Sequence, residues 1–570
     1  MDGWSGEYTY ASHCCCFFLP YINSTMNIRN YNIYFSTHTI SGIIICAFLY
    51  VIFFAGSFSF FRNEIAAWQQ GESFSKQKTE DINCDYLIDS LDNSINLLGR
   101  DLTFTFYHQN ARAYMGYSAS KDSIQNKINL DKINQGIPDK ADWKTDDGKF
   151  FGFNFINKKS GSYSENYDLA EFLYRLHFLA QLNEVPINIG IGPFGYVIAG
   201  FTSFLFLFAL ITGLLLHWDK LVSNFFTYRP FSKWKTVWTD MHTALGVVAY
   251  PFQLLYAITG IFLILNSVLA IPFEKLIYKG DSKAMYTELA FNHSVDLPYS
   301  NKKLPNPPSI NQIIKDVQNK WPNSRIFRIN VKNYADQNMH VVAEVSPTYA
   351  KHFAGYGIYN VQVRDNKLIE EKDPMANSSF VDHVKSLLYR LHFADYAGYP
   401  LKFLSFILGI MGCLVISSGI MIWLVARDKN NIPKHKRKFN FWLANVYLAI
   451  CLTMFPTTAI AFIAVKFNPQ ANEEFLYKVY FITWLIFSTY YIIRQSLQRT
   501  NKETLLLGSM IALTIPVFNG VLSGKWIWNN FMEGNIDLFS IDFLWLCLGI
   551  IGIIIFRKVH KQFSKFNTAE

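Results

Sequence analysis

The sequence predicts an all-α polytopic membrane protein of about eight transmembrane helices, with an internally duplicated four-helix core and two α+β segments outside the membrane. Three observations carry this expectation. Eight apolar runs, approximately 39–61, 194–217, 243–267, 400–425, 440–465, 474–493, 504–524 and 539–556, can each cross about 30 Å of hydrocarbon with roughly 20 residues. Two short words occur twice in the same order: HTISG at His38–Gly42 returns as HTALG at His242–Gly246, and LYRLHF at Leu173–Phe178 returns as Leu388–Phe393. Basic residues gather in alternate connections, as they do in membrane proteins of fixed orientation.

In chain order, residues 1–37 read as a cytoplasmic tail. The apolar patch Cys14–Tyr21 is too short to span and has no basic stretch ahead of it, so a signal peptide is not indicated. Met26 makes a natural start, and residues 1–25 read as a tail or a mis-assigned start that N-terminal sequencing would decide. The first repeat then runs over 38–217, with a polar segment at 62–193 between two spans. A loop at 218–242 carries Lys220, Arg229, Lys233 and Lys235. The second repeat covers 243–428, with its polar segment at 268–399. A four-helix membrane extension, 429–570, completes the chain. Arg427 and Lys429, Arg494 and Arg499, and Arg557 and Lys558 follow the fourth, sixth and eighth spans, which places both termini in the cytoplasm and both polar segments outside. The formal charge of +9 therefore borders membrane spans and gives no reason to expect nucleic acid.

The second polar segment has a clear α+β pattern. SINQIIKDVQNKW reads as a capped helix after Ser309, RIFRINVKN and MHVVAEV alternate as strands, and YNVQVRDNKLIEE reads as a hairpin-like pair. The first segment is less regular, and its Lys/Asp/Gly-rich middle, Lys121–Lys149, reads as loop. Neither segment carries a nucleophile–base motif, a phosphate loop or a zinc spacing. The eight cysteines form no CxxC pair. Cys46, Cys413, Cys451 and Cys547 lie in apolar runs and read as small hydrophobes.

The repeated words each hold a histidine, at offsets of 204 residues (38 to 242) and 215 residues (177 to 392). The topology sorts them into an inner pair, His38 and His242, and an outer pair, His177 and His392. One interfacial histidine is commonly just a tolerated residue, but four in duplicated register are not explained that way. Two imidazoles facing across a helix bundle are the axial ligand set of a b-type haem, so two haems are expected. Gly42 and Gly246 lie four residues after the inner histidines on the same helix face, where a missing side chain lets a flat macrocycle approach the backbone. The later glycines, Gly56, Gly200, Gly213, Gly260, Gly412 and Gly419, suit either that role or close helix packing. Arg175 and Arg390, two residues before the outer histidines, suit haem propionates or an ordinary interfacial place. His217 is a rival inner ligand, but its duplicate position holds Trp423. His108, His293, His340 and His352 read as surface residues.

These stretches resemble the PepSY-associated transmembrane family of bacterial iron-regulated membrane proteins. HTISGIIICAFLYVIFFAGSFSFFRNEI resembles its first span, FSKWKTVWTDMHTALGVVAYPFQLLYAITG the start of its third, and LYRLHFADYAGYPLKFLSFILGIMGCLVISSGIMIW its fourth. The resemblance covers roughly 30–428 and leaves out the last four spans. It departs from the family at His217, where aromatic residues are usual. It implies PepSY-like outer segments and a di-haem reductase of the bacterial inner membrane that acts on a ferric siderophore. No GxGxxG fingerprint is present, so electrons are expected from outside the chain, from a quinol or a cytoplasmic flavoprotein. The competing expectations are a haem or siderophore transporter and a non-catalytic sensor with ligand-binding outer segments.

Overall fold

A computed structural model describes residues 27–567, apart from 74–82, 93–94, 107–111, 135–148, 155–158, 230–231, 289–294 and 349–351. The N-terminal reading of residues 1–25, with Cys14, Cys15 and Cys16, lies outside the described residues, as do His108 and His293. Among the described residues, eight helices are long and apolar enough to cross a membrane, as the apolar runs predict.

The first, α1 (Ile28–Ser59), begins ten residues before His38, so the histidine is a turn-forming part of the helix and not its leader. The chain breaks at Phe60 and Phe61 and re-enters helix as α2 (Arg62–Gln70), closed by Gly71 at φ 72°. A left-handed residue at this place is the usual helix stop, and glycine adopts it without a Cβ penalty. The first polar segment follows with α3 (Cys84–Asp92), β1 (Leu102–Phe106), β2 (Arg112–Tyr117), α4 (Ser123–Asn134), β3 (Lys149–Asn154), β4 (Lys159–Ser162) and α5 (Leu169–His177). The stretch read as loop thus carries α4. The next two membrane helices are α6 (Phe194–His217) and, after the short α7 (Leu221–Phe225), α8 (Trp234–Leu276), which runs well past the expected end of the third span.

The second polar segment comprises α9 (Ser282–Glu288), α10 (Ile310–Lys320), β5 (Ser324–Lys332), β6 (His340–Pro347), β7 (Gly357–Gln362), β8 (Lys367–Lys372) and α11 (Phe380–Phe393). Here the sequence pattern and the structure agree closely. The Ser309 hydroxyl accepts the Gln312 amide and so caps α10. The last helices are α12 (Gly398–Arg427), α13 (Lys434–Phe467), α14 (Glu473–Arg494), α15 (Leu497–Ser523), α16 (Ile527–Met532) and α17 (Ile536–Asn567).

The two polar segments form one unit. Their strands make a single eight-stranded antiparallel sheet in the order β4-β3-β2-β1-β5-β6-β7-β8. The seam pairs Leu102 with Val331 and Thr105 with Arg328. Moving each residue 226 positions exchanges these two pairs, so the seam is a pseudo-twofold axis inside one chain. The helices over it obey the same relation. The Cys84 amide donates to Asn311 Oδ1 at 2.8 Å, and the Ile310 amide donates to Asp85 Oδ1 at 2.7 Å. Each helix start is capped from the other half. Phe104, Met115, Ile329 and Val345 of the sheet pack with Leu87, Ile88, Ile313 and Val317 of the two helices. Each such buried side chain contributes roughly 1.5–3 kcal/mol, which holds the halves together.

In the membrane part, α1 and α8 each pack against both α6 and α12. The four therefore form a ring with α1 diagonally opposite α8. Small residues bring the helices close: Gly412 faces the ring of Phe53, and Gly200 faces Leu265. The four C-terminal spans join this ring through α13, which packs on α12 and α1.

Candidate functional site

The diagonal placement of α1 and α8 brings His38 and His242 together. Their ring centroids are 6.0 Å apart with planes at 78°. Each ring is tied by Nδ1 to the backbone of the other helix in its own repeat. His38 Nδ1 lies 2.9 Å from Ala209 O, and His242 Nδ1 lies 2.8 Å from Val415 O. Only a protonated Nδ1 makes these bonds to a carbonyl, which sets the tautomer and leaves Nε2 with a lone pair for a ligand.

The surroundings repeat as well, at an offset of 206. Thr212 and Ser418 donate to the same two carbonyls, at 3.2 and 2.9 Å. Gly213 and Gly419 make room for the rings: a Cβ on either would stand 3.1 Å from the Cε1 of its histidine.

The second pair lies at the sheet end of the bundle. His177 closes α5 and His392 lies in the last turn of α11. Their centroids are 5.9 Å apart with planes at 42°. His177 Nδ1 lies 2.7 Å from Ile52 O. His392 Nδ1 lies 2.8 Å from Thr259 Oγ1, whose own hydrogen goes to Leu255 O at 2.7 Å. The threonine oxygen therefore accepts, and His392 has the same tautomer as the other three. Burial lowers both imidazoles below their usual range, His392 to about 3 with His177 adding to the effect, so both rings are neutral. Gly56 is the room-maker here: a Cβ on it would stand 2.7 Å from His177 Cε1 and closer still to Nδ1. Ile52 lies fourteen residues beyond His38 on α1, which separates the two levels by about 21 Å at a rise of roughly 1.5 Å per residue.

The two ring separations match a shared metal. Two nitrogen–metal bonds of about 2 Å, with about 1 Å from each Nε2 to its ring centre, sum to roughly 6 Å. A flat group also finds space. A Cβ added to Gly42 or Gly246 meets nothing within 4 Å. The inner residues therefore fit a bis-histidine haem in ring separation and in space, and the outer pair fits one in ring separation.

The remaining candidates divide. Arg175 donates from Nη1 to Tyr163 OH at 3.0 Å, and its buried Nε has no hydrogen-bond partner. Arg390 is buried and donates to His352 O and Pro347 O at 3.0 and 3.1 Å, so it ties α11 to the sheet. His217 ends α6, with its Nδ1 3.3 Å from Asn224 Nδ2. His340 is fully buried at the start of β6 and bonds to Asn338 O through Nδ1, which corrects its reading as a surface residue; it lies on the strand face opposite the core residues Val341, Ala343 and Val345, where its Nε2 comes within 3.7 Å of Asp296 Oδ1. Gly200, Gly260 and Gly412 serve helix packing. The anchors Ala209, Val415 and Ile52 act through backbone carbonyls, which leave no mark in the sequence. Gly213 and Gly419 did leave one, in their duplicated register.

A family model described as the PepSY-associated TM region matches residues 35–426, over two thirds of the chain. No curated protein matches.

Proposed function

The chain belongs to the PepSY-associated TM region family, and from that premise we propose that it is a multi-pass membrane oxidoreductase that reduces a ferric chelate of the siderophore class and releases ferrous iron. His38 and His242 at the inner level and His177 and His392 at the outer level would each hold a b-type haem, and the two would supply a one-electron path across the bilayer. One observation carries the reading: two facing histidine pairs, each ring anchored through Nδ1, stand at two levels of one bundle. The basic connections at the His38 end, including Lys220, Lys235, Lys429 and Lys436, favour the cytoplasmic side for that end. On this reading the sheet lies outside and the bacterial inner membrane is the site.

Bound haem supplies one-electron chemistry between ferric and ferrous iron. The chain supplies the rest. The carbonyls of Ala209, Val415 and Ile52 and the hydroxyl of Thr259 orient the imidazoles and raise the basicity of Nε2. Gly42 and Gly246 leave the backbone open to a flat ring, and the PepSY-like outer unit stands where a chelate would dock. Arg175, with an unfilled donor two residues from His177, suits a propionate carboxylate. One electron converts one chelated ferric ion to ferrous iron. The ferrous ion is less charged, so hard oxygen donors hold it less tightly. A quinol or a cytoplasmic flavoprotein gives two electrons and so serves two turnovers.

The test is the absorbance and haem content of the purified protein. Two haems per chain are expected. Replacing His38 or His242 with Ala removes one, and replacing His177 or His392 removes the other. Dithionite-reduced protein should be reoxidised by a ferric chelate. Absence of a Soret band, or a band that survives all four substitutions together, overturns the reading.

A further inference from the structure

The family match stops at residue 426, yet the helices beyond it reach directly toward one outer histidine. The route runs through α2. Six of its nine residues are buried, among them Glu64, Trp68 and Gln69, although the segment RNEIAAWQQ is polar. Its long side chains explain this, because they bind separate neighbours. On one side they hold α5. Arg62 pairs with Glu171 and lies 4.0 Å over the ring of Tyr174. Gln69 Oε1 accepts the amide of Leu169, the first residue of α5, at 2.9 Å.

On the other side the same helix is gripped by the C-terminal unit. Trp68 Nε1 donates to Asp542 Oδ1 of α17 at 2.8 Å. Asp542 Oδ2 accepts from Asn519 Nδ2 of α15 at 2.8 Å. Lys466 of α13 donates to Trp68 O, and its Nζ lies 3.9 Å over the indole ring. Ionisable groups at such depth are costly and are kept for a reason. Here both converge on one tryptophan.

The duplicated half shows what is absent without this grip. At the 204-residue offset, Phe60 and Phe61 correspond to Ile264 and Leu265, which lie inside the unbroken helix α8. The second half therefore makes no counterpart of α2. Its histidine arm is also left open. Phe172 of α5 is fully buried, with its ring 4.8 Å from that of Tyr480 on α14. Its duplicate, Leu387 of α11, is 39% exposed.

We propose that the C-terminal four-helix unit is a positioning device for the outer histidine pair: it grips α2 through Trp68, α2 holds α5, and α5 fixes the imidazole of His177. His392, on the uncovered arm, is the partner that adjusts. Trp68, Asp542 and Lys466 are positioning residues and act on no substrate. The proposal rests on reading His177 and His392 as an axial pair, and its test separates the two.

The variants are Asp542→Leu, which leaves Trp68 Nε1 without its acceptor and Asn519 Nδ2 with Lys525 O, and Trp68→Phe, which keeps an aromatic ring under Lys466 but removes the donor and part of the buried indole. Asp542→Asn is the rescue, since its amide oxygen still accepts the indole N–H. The first readout is hydrogen exchange in full-length protein. In Asp542→Leu the amides of 169–177 should exchange at least tenfold faster, while those of 380–393 keep their rates, with Trp68→Phe intermediate and Asp542→Asn near wild type. The second readout is redox titration. One of two midpoint potentials should move and the other should stay. Unchanged exchange in α5, equal acceleration in α5 and α11, or potentials that move together overturn the proposal. Protein that contains no haem but shows the α5-specific exchange overturns the haem reading and upholds the grip.

Discussion

The sharpest consequence of the site geometry concerns Gly56. Its alanine variant would place a Cβ 2.7 Å from His177 Cε1 and closer still to Nδ1. The ring must then retreat by roughly 1 Å to restore a van der Waals separation of about 3.5 Å. Two costs follow. The 2.7 Å bond from His177 Nδ1 to Ile52 O is lost, a net of about 1 kcal/mol. The imidazole also leaves its rotamer, which costs about 1 kcal/mol more. Together they amount to about 2 kcal/mol, or roughly thirtyfold in the affinity of the outer pair for its ligand. The backbone effect runs the other way, because alanine in a helix interior is favoured over glycine by up to about 1 kcal/mol. Thermal stability should therefore hold while one haem is lost. The duplicate supplies the control. At Gly260 an added Cβ meets only Ser203 Oγ, at 3.5 Å, an ordinary contact, so Gly260→Ala should keep both haems. The assay is haem per chain against added haemin, with melting temperature alongside. Wild-type affinity in Gly56→Ala, or equal loss in the two variants, would refute the reasoning.

Three further outcomes follow from single features. Gly42→Ala and Gly246→Ala meet no protein atom within 4 Å, so stability should hold or rise by up to about 1 kcal/mol, while inner haem content falls several-fold if a macrocycle lies against that backbone. Removing the crossed caps with Asp85→Ala or Asn311→Ala should cost about 1 kcal/mol each, read as faster proteolysis within the sheet unit and no change in membrane-helix protection. The sheet unit should also be acid-sensitive. Asp101 is half-buried and Asp382 buried, which alone would raise them, but Lys121 with the Asn333 amide, and Lys372 with Ser379, outweigh burial and hold both below the usual carboxylate range. A depressed folded-state value means the stabilisation is complete above the unfolded value near 4 and is lost as pH falls through the lower folded values. Melting of this unit should be flat above about pH 5 and fall below about pH 4, and Asp382→Asn should flatten part of that fall.

Much of the architecture is written locally and so can be read locally. A 20-residue apolar run announces itself, and the Ser309 cap with the alternating strands around Val331 and Val341 needs no distant partner to be recognised. The single sheet is another matter. β4, KSGS, has no apolar alternation, and β1 finds its partner β5 more than two hundred residues away. The cap on α3 comes from Asn311, beyond the range of any window. The histidines were legible because duplication repeated them in register. Their anchors were not, because a carbonyl belongs to every residue. The role of α2 was hidden for a related reason. Its polar residues suggest a solvated linker, and only their partners on α5, α12 and α17 turn it into a buried clasp.

The two levels of the bundle treat the duplication differently, and the difference follows from what each end must carry. At the inner level every part has its twin: Ala209 and Val415, Thr212 and Ser418, Gly213 and Gly419. The four ring helices supply these contacts in matched pairs, with α13 packing beside them on Cys46, Ile420 and Leu424. At the outer level one arm is tied to the C-terminal helices and the other to the sheet, through Arg390 and the carbonyls of His352 and Pro347. The anchors diverge accordingly, a carbonyl for His177 and a hydroxyl for His392. A symmetric site favours equal ligands and a fixed geometry. An asymmetric one allows the sheet to move one imidazole against a fixed partner, because Arg390 ties α11 to Pro347 of β6 while α5 is clamped by α2. On the proposed function, the outer pair is thus the level at which an event in the sheet unit would reach the electron path, and the inner pair is the level further from it.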